Sequence, residues 1–188
     1  VIGEESVGGF AGLTSGSTNG NGLILKACYA LGNVTATQQV GGLVGFFSFH
    51  NSVYNCSATG TVKGNSCVGG LIGDGYAMKE IKNCYSTGDV SASALNTAIW
   101  SGGITGTSYQ SISGCYATGS ITGSGDIKIG GICGRNWPSL TVTNCFYNKE
   151  GAAMNMGEGH DEVTFDAKGL ALNDMKSLSN MKFDNTDK

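Results

Sequence analysis

The sequence predicts an all-β fold: a parallel, β-helix-like β-solenoid of about five coils with a short helical cap at its C-terminal end. Three observations predict it. A glycine pair recurs along residues 1–148, a cysteine follows each pair, and apolar residues keep fixed positions relative to both. Such columns indicate a repeat architecture in which each copy covers the next, because no single copy could bury its own apolar face.

The glycine pairs and the cysteines set the period of the repeat. The pairs are spaced 33, 28, 33 and 28 residues apart: Gly8-Gly9, Gly41-Gly42, Gly69-Gly70, Gly102-Gly103 and Gly130-Gly131. The cysteines are spaced 28, 28, 31 and 30 residues apart: Cys28, Cys56, Cys84, Cys115 and Cys145. The varying lengths place insertions between the anchors, where loops leave a stack.

Three apolar positions per copy predict three short strands per coil. One position directly follows the glycine pair, one lies three residues before the cysteine, and one lies six residues after it in the first four copies. Strands stacked about 4.8 Å apart would give a rod body about 24 Å long. A β-sandwich of glycine-rich hairpins is the alternative, which explains alternating strands but not the repeating columns.

Strand alternation predicts which side chains of the second copy face the core. Leu43 is expected to face inward. Val40 and Val44 are expected on a tolerant outer face, because their counterparts in copy four are the polar Ser101 and Thr105.

The cysteine column requires a bend in the chain. Val53 and Cys56 are three residues apart, so simple alternation cannot place both in the core. We expect the bend near Asn55, since asparagine or glycine occupies that column in four of five copies, and these residues tolerate left-handed backbone. The cysteines are predicted to be free, buried thiols rather than disulfides, because an in-register ladder keeps their Cβ atoms too far apart.

A change in charge predicts a second unit after residue 148. Residues 1–148 hold six basic and six acidic residues, whereas residues 149–188 hold five basic and eight acidic, a net charge of −3. We interpret residues 149–188 as a charged linker and a C-terminal capping segment with a short helix. Asn173 is expected to cap that helix, with Met175 and Leu178 facing inward.

Several classes of protein are disfavoured by composition. The almost neutral body lacks the basic stripe of a nucleic-acid-binding protein, and no apolar run reaches the length of about 18 residues that a membrane span requires. The start of the sequence, VIGEESVGG, without an initiator methionine, predicts a segment of a larger chain.

No catalytic, cofactor or metal site is predicted. Four acidic residues of the body occupy different columns of the repeat: Asp74, Glu80, Asp89 and Asp126. Both histidines, His50 and His160, lie in predicted loops, and no zinc-peptidase His-Glu-x-x-His pattern occurs. The column after each glycine-rich motif has one aspartate in five, which is too few oxygen ligands for calcium: Leu13, Phe46, Asp74, Thr107 and Arg135.

The aromatic column one residue after the cysteines is the candidate ligand-binding feature. It comprises Tyr29, Tyr85, Tyr116 and Phe146, and Ser57 interrupts it. If the cysteine faces inward, its neighbour faces outward. Such a ladder could stack against sugar rings, but aromatic residues on adjacent coils also stack on one another for stability, and both interpretations stay open here.

The glycine-rich signature resembles that of the GLUG-motif repeat. It occurs as Gly42-Leu43-Val44-Gly45 and Gly70-Leu71-Ile72-Gly73, with variants in the other three copies, and NCYSTGDV and GCYATGSI match the second half of the motif. Such repeats occur in adhesin-like bacterial surface proteins and in some IgA-cleaving metallopeptidases, outside the catalytic domain. The resemblance implies a non-catalytic structural or adhesive module, extracellular or on the bacterial cell surface, whose partner is a host or cell-surface protein or a glycan.

Two other functions remain as alternatives. The first is a glycan-binding module that uses Tyr29, Tyr85 and Tyr116. The second is an enzyme of the β-helix polysaccharide lyase type, which would require acidic and basic residues gathered on one face.

Overall fold

The computed structural model of the chain describes residues 1–17, 19–93, 99–109, 111–125, 127–137, 141–151, 156–158 and 164–176. Within these residues the chain forms short strands throughout and one short helix. Each full copy of the repeat contributes five strands, rather than the three that the apolar columns predict.

The strands follow the repeat copy by copy. Copy one contains β1 (Glu5–Gly8), β2 (Ala11–Ser15), β3 (Ile24–Lys26), β4 (Tyr29–Ala30) and β5 (Val34–Thr35). Copy two contains β6 (Gln38–Gly41), β7 (Val44–Ser48), β8 (Ser52–Tyr54), β9 (Ser57–Ala58) and β10 (Val62–Gly64). Copy three contains β11 (Ser66–Gly69), β12 (Ile72–Tyr76), β13 (Glu80–Lys82), β14 (Tyr85–Ser86) and β15 (Val90–Ser93). Copy four contains β16 (Ile99–Gly102), β17 (Thr105–Ser108), β18 (Ser111–Ser113), β19 (Tyr116–Ala117) and β20 (Ile121–Ser124). Copy five and the tail contain β21 (Ile127–Gly130), β22 (Cys133–Asn136), β23 (Thr141–Asn148), β24 (Met156–Glu158), β25 (Thr164–Leu170) and the helix α1 (Leu172–Lys176).

These strands form four sheets, each built from equivalent strands of successive copies. Sheet 1 has the order β1-β6-β11-β16-β21, and sheet 2 the order β2-β7-β12-β17-β22-β24. Sheet 3 joins the β3-β8-β13-β18 and β4-β9-β14-β19 ladders at the long β23, which also pairs with β25. Sheet 4 has the order β20-β15-β10-β5.

Every pairing between the named strands is parallel, for example Val34 beside Val62 and Val62 beside Val90 in sheet 4. Four complete turns therefore separate β1 from β21. The predicted parallel β-solenoid is confirmed, and the hairpin β-sandwich is wrong, because hairpins would pair their strands antiparallel.

The predicted bend before the cysteine column is confirmed in every copy. The residue before the cysteine has a positive φ of 50° to 60° in all five: Ala27, Asn55, Asn83, Gly114 and Asn144. This left-handed residue separates β3 from β4 and β8 from β9, and it reverses the alternation of side chains. Both Val53 and Cys56 are consequently fully buried.

The core lies inside the stack and follows the predicted columns. The residue after the glycine pair is fully buried in copies two to five: Leu43, Leu71, Ile104 and Ile132. Phe10 holds the same position in the first coil, where no described coil covers it, and it is 54% exposed. Burial in this core therefore depends on the neighbouring coil.

The prediction of an outer face for Val40 and Val44 is wrong. Both side chains are fully buried, as are their polar counterparts Ser101 and Thr105. The glycine-pair turn folds sheet 1 against sheet 2, so strands near the turn are covered on both sides. Thr105 is accommodated there by a local hydrogen bond, because its hydroxyl lies 3.2 Å from Cys133 Sγ, whereas the buried Ser101 hydroxyl has no hydrogen-bond partner among the described residues.

The third glycine of the motif allows this close approach of sheets 1 and 2. A Cβ atom at Gly73 would lie 2.5 Å from the carbonyl carbon of Gln39 and 2.5 Å from the backbone nitrogen of Val40, in the preceding copy. Those atoms belong to a hydrogen-bonded strand and cannot easily move. Glycine is required at this position because the two backbones touch.

The strands continue beyond the fifth copy. β24 pairs with β22 and β25 pairs with β23, so the tail adds strands to sheets 2 and 3. The predicted short helix is present, and Met175 on it is buried. Asn173 does not cap it, because the helix begins one residue earlier and the backbone N–H groups of Asp174 and Met175 bond to the carbonyl of Ala171. Leu178 lies outside the described residues.

Candidate functional site

The predicted tyrosine column is only partly continuous. Tyr85 and Tyr116 are register partners, and their rings stack 4.9 Å apart at an interplanar angle of 4°. Tyr29 is 61% exposed but lies two coils from Tyr85, with the buried Ser57 between them in register. Burial raises the pKa of Tyr116. The structure thus brings together two of the three predicted residues.

The cysteines are free thiols, as the sequence predicts. In the column itself, Cys56, Cys84, Cys115 and Cys145 are buried, and Cys28 in the first coil is half-buried. Backbone N–H groups contact the sulfur of the next coil, for example from Cys56 to Cys84 Sγ at 3.4 Å. The ladder belongs to the interior of the stack.

Three of the acidic residues predicted to lie in separate columns are described and belong to different parts of the coil: Asp74 lies in β12 of sheet 2, Glu80 in β13 of sheet 3, and Asp89 directly before β15 of sheet 4. Glu80 accepts a hydrogen bond from the Tyr54 hydroxyl, and Asp89 accepts one from the backbone N–H of Ser120. Among the described residues, no group of three histidine, cysteine, aspartate or glutamate side chains could hold a metal ion. Asp126 and His160 fall outside the described part of the chain.

A second aromatic ladder, which the sequence reasoning missed, runs along the end of sheet 2. It comprises Phe49, Tyr76, Tyr109 and Trp137. Ring centroids lie 5.6 Å apart between Phe49 and Tyr76 and 4.9 Å apart between Tyr76 and Tyr109, both edge to face. Tyr109 stacks on Trp137 with a centroid distance of 4.6 Å. Four successive coils therefore place aromatic rings side by side, and Tyr76 is 41% exposed.

Arg135 joins this aromatic ladder to sheet 1. Its Cζ atom lies 4.3 Å from the ring centroid of Trp137 and 4.5 Å from that of Trp100, which belongs to β16. Contacts between a guanidinium group and indole rings at these distances are favourable cation–π interactions. They hold the half-buried Arg135 side chain across the junction between sheets 1 and 2.

A cluster of polar side chains, centred on Asp74, lies beside the aromatic ladder. One carboxylate oxygen of Asp74 accepts a hydrogen bond from Gln39 Nε2 at 3.2 Å, and the other accepts one from the Thr107 hydroxyl. Burial raises the pKa of Asp74 above its ordinary value of 3.8, while these two hydrogen bonds act in the opposite direction. Thr107 is the register partner of both Asp74 and Arg135, so the three occupy successive coils.

We call the residues of this junction the Arg135 surface: Gln39, Asp74, Tyr76, Trp100, Thr107, Tyr109, Arg135 and Trp137. One signal in the sequence could have indicated it. The column of Phe46, Asp74, Thr107 and Arg135 is visible from the repeat, and the chain's only arginine and one of its two tryptophans are separated by a single residue. The approach of Trp100 could not be read from the repeat, because it stands 35 residues before Arg135 and in another sheet.

Within the described residues, no helix is long and apolar enough to cross a membrane. Residues 64–91 match the family model described as the GLUG motif. This match covers one turn of the stack, from the end of β10 into β15, and the same strands repeat around it in register. No curated protein and no solved structure matches the chain. Residues 64–91 therefore carry a GLUG motif, and the other copies of the repeat stack on this turn.

Proposed function

We propose that the chain is a non-catalytic structural and adhesive module of a bacterial cell-surface or secreted protein. The observation that carries the proposal is the parallel register, in which each coil bonds to the next through sheets 1, 2 and 3, and copies one to four also bond through sheet 4. The first strand, β1, lies in the first coil, and the last strand, β25, lies at the opposite end of the stack. A stack of this kind holds whatever precedes and follows it apart by about 4.8 Å per coil.

The arrangement of charged side chains also supports a non-catalytic role. The partners of the Asp74 carboxylate are an amide and a hydroxyl, rather than a second carboxylate. Glycoside hydrolysis commonly uses two carboxyl groups on either side of the scissile bond. The adhesive and surface roles are supported by the likeness to GLUG repeats of adhesin-like surface proteins.

A turnover assay tests the non-catalytic role. The purified chain and its Asp74→Asn variant are incubated with panels of polysaccharides and proteins, and products are separated by chromatography. The proposal expects no product from either. Product formation by the wild-type chain that the variant abolishes would overturn it.

An adhesion assay tests the surface role. Beads coated with the chain are expected to adhere to cell surfaces more than beads coated with the unfolded chain at equal density. Equal adhesion of the two would refute the adhesive part and leave the spacer role.

The tyrosine column remains a second candidate for ligand binding, favoured by the coplanar rings of Tyr85 and Tyr116. A glycan array probed with the wild-type chain and with a variant in which Tyr29, Tyr85 and Tyr116 are all alanine tests this candidate. Loss of binding in the triple variant would support it. Unchanged binding would exclude it.

A further inference from the structure

The rarest side chains of the sequence converge on one surface. The chain has one arginine and two tryptophans, and all three meet where Arg135 lies over the rings of Trp100 and Trp137. Tryptophan, tyrosine and arginine are the residues that dominate binding energy at protein interaction sites. Their concentration at one junction between two sheets points to recognition of a ligand.

The guanidinium group of Arg135 lacks a counter-ion in the described part of the chain. No described carboxylate forms an ion pair with it, and the group lies against the two indole rings. Face contacts leave the in-plane N–H donors of arginine available, and those donors match the geometry of a carboxylate. A half-buried, pre-positioned arginine of this kind is suited to an anionic ligand.

The surroundings of Arg135 indicate what carries the anion. Tyr76 presents an exposed ring, Tyr109 and Trp137 continue the aromatic ladder in the next two coils, and the Asp74–Gln39 pair presents hydrogen-bonding groups beside them. A sugar ring has an apolar face of C–H groups and an edge of hydroxyl groups, and aromatic rings next to polar side chains complement both. A purely apolar protein segment would offer Asp74 and Gln39 no hydrogen-bonding group.

We propose that the Arg135 surface binds an oligosaccharide that bears carboxylate groups, with Arg135 on the sugar carboxylate. The exposed ring of Tyr76 lies against a sugar face, and Gln39 and Asp74 bond to hydroxyl groups. The oligosaccharide runs along the stack, across successive coils. This inference deepens the adhesive part of the proposed function and rests on it.

Tryptophan fluorescence gives a direct readout, because both tryptophans flank Arg135. The chain is titrated with oligosaccharides that carry galacturonate, glucuronate or sialate, and with the same oligosaccharides after reduction of their carboxyl groups. At least one acidic member is expected to change the emission in a saturable way. Its reduced form is expected to bind about tenfold more weakly, because it loses the charge-assisted pair with Arg135.

Two variants separate the role of the guanidinium fork from that of charge alone. Arg135→Lys keeps the charge but loses the planar fork, and is expected to weaken binding about tenfold. Lys63→Gln removes one positive charge at an exposed position in sheet 4 and is expected to leave binding unchanged. Circular dichroism of each variant confirms that it is folded as the wild type is.

Three results would overturn the inference: no saturable change with any acidic member at millimolar concentration, equal binding of the acidic and reduced forms, or unchanged binding by folded Arg135→Lys. Cleavage of a bound oligosaccharide would instead overturn the non-catalytic role and leave the binding site standing. Binding that is lost in the triple tyrosine variant but kept in Arg135→Lys would move the site to the tyrosine column.

Discussion

Gly73 shows how one missing side chain determines the packing of two sheets. The nearest atoms to a Cβ at this position belong to the backbone of Gln39 and Val40, so the clash cannot be relieved by rotating a side chain. Gly45, Gly106 and Gly134 lie against backbone atoms of the preceding copy in the same way. The repeated Gly-x-x-Gly spacing therefore follows from backbone contact between coils.

We expect Gly73→Ala to lower the free energy of unfolding by about 1–3 kcal/mol, the usual cost of overpacking a filled interior. Gly32→Ala is the matched control, because no atom lies within 4 Å of a Cβ at that position. Urea denaturation of the two variants and the wild type measures the difference. Equal stability of the two variants would contradict the proposed contact.

Asp74 makes the stability of the fold depend on pH. Its pKa is raised in the folded state, so the folded protein binds the proton more tightly than the unfolded chain. The resulting stabilisation is present below the ordinary pKa of 3.8 and is lost as pH rises through the raised value. The wild type should therefore lose stability relative to Asp74→Asn as pH rises from about 4 towards neutrality.

Denaturation of the wild type and of Asp74→Asn over this pH range measures that effect. Any contribution from the other carboxyl groups is common to the wild type and the variant, so it cancels in the difference between them. A stability difference that stays constant with pH, or that changes in favour of the wild type as pH rises, would rule out the role assigned to Asp74.

At the scale of elements, the left-handed residue between β8 and β9 and its equivalents shape each coil. This conformation disfavours residues with a Cβ by roughly 1–2 kcal/mol, with asparagine and glycine the usual exceptions. Asn55→Ala should therefore destabilise the fold by about 1 kcal/mol, and Ala27→Gly should stabilise it by a smaller amount. Both positions are exposed, so lost contacts contribute little.

Thermal unfolding of the two variants measures these changes. The opposite signs are the informative feature, because a general effect of substitution in this loop would shift both variants in the same direction. Two shifts of the same sign would contradict the left-handed backbone at this column.

The elements also show why part of the structure could be predicted from the sequence. A parallel stack repeats its contacts every coil, so the buried columns and the bend before Cys56 appear as regular spacings. The burial of Val40 and Val44 could not be inferred, because it depends on sheet 1 folding against sheet 2. Trp100 and Arg135 likewise meet through that packing, and their spacing in the sequence does not indicate the contact.

At the scale of the whole molecule, the coils are interchangeable units that bond in register. Gln38 in β6 and Ser66 in β11 are register partners. Removal of residues 38–65 therefore joins Thr37 directly to Ser66, so that β11 takes the place of β6. The shortened chain should fold with one coil fewer, at a modest cost in stability, since each coil contacts only its neighbours. Its stack should be about 4.8 Å shorter.

Circular dichroism and thermal unfolding measure the outcome of this deletion. Removal of residues 38–51 alone is the control, because it deletes part of a coil and destroys the register. The control should lose cooperative unfolding. Equal behaviour of the two deletions would argue against stacked, equivalent coils.

The central claim, a parallel stack in register, is tested most directly by nuclear Overhauser effects between backbone protons in solution. Sheet 4 gives the clearest series, since Val34, Val62, Val90 and Ile121 are successive register partners. The structure predicts contacts between strands of neighbouring copies in the parallel pattern, 28 to 31 residues apart in sequence. Antiparallel contacts between consecutive strands of one copy would contradict it.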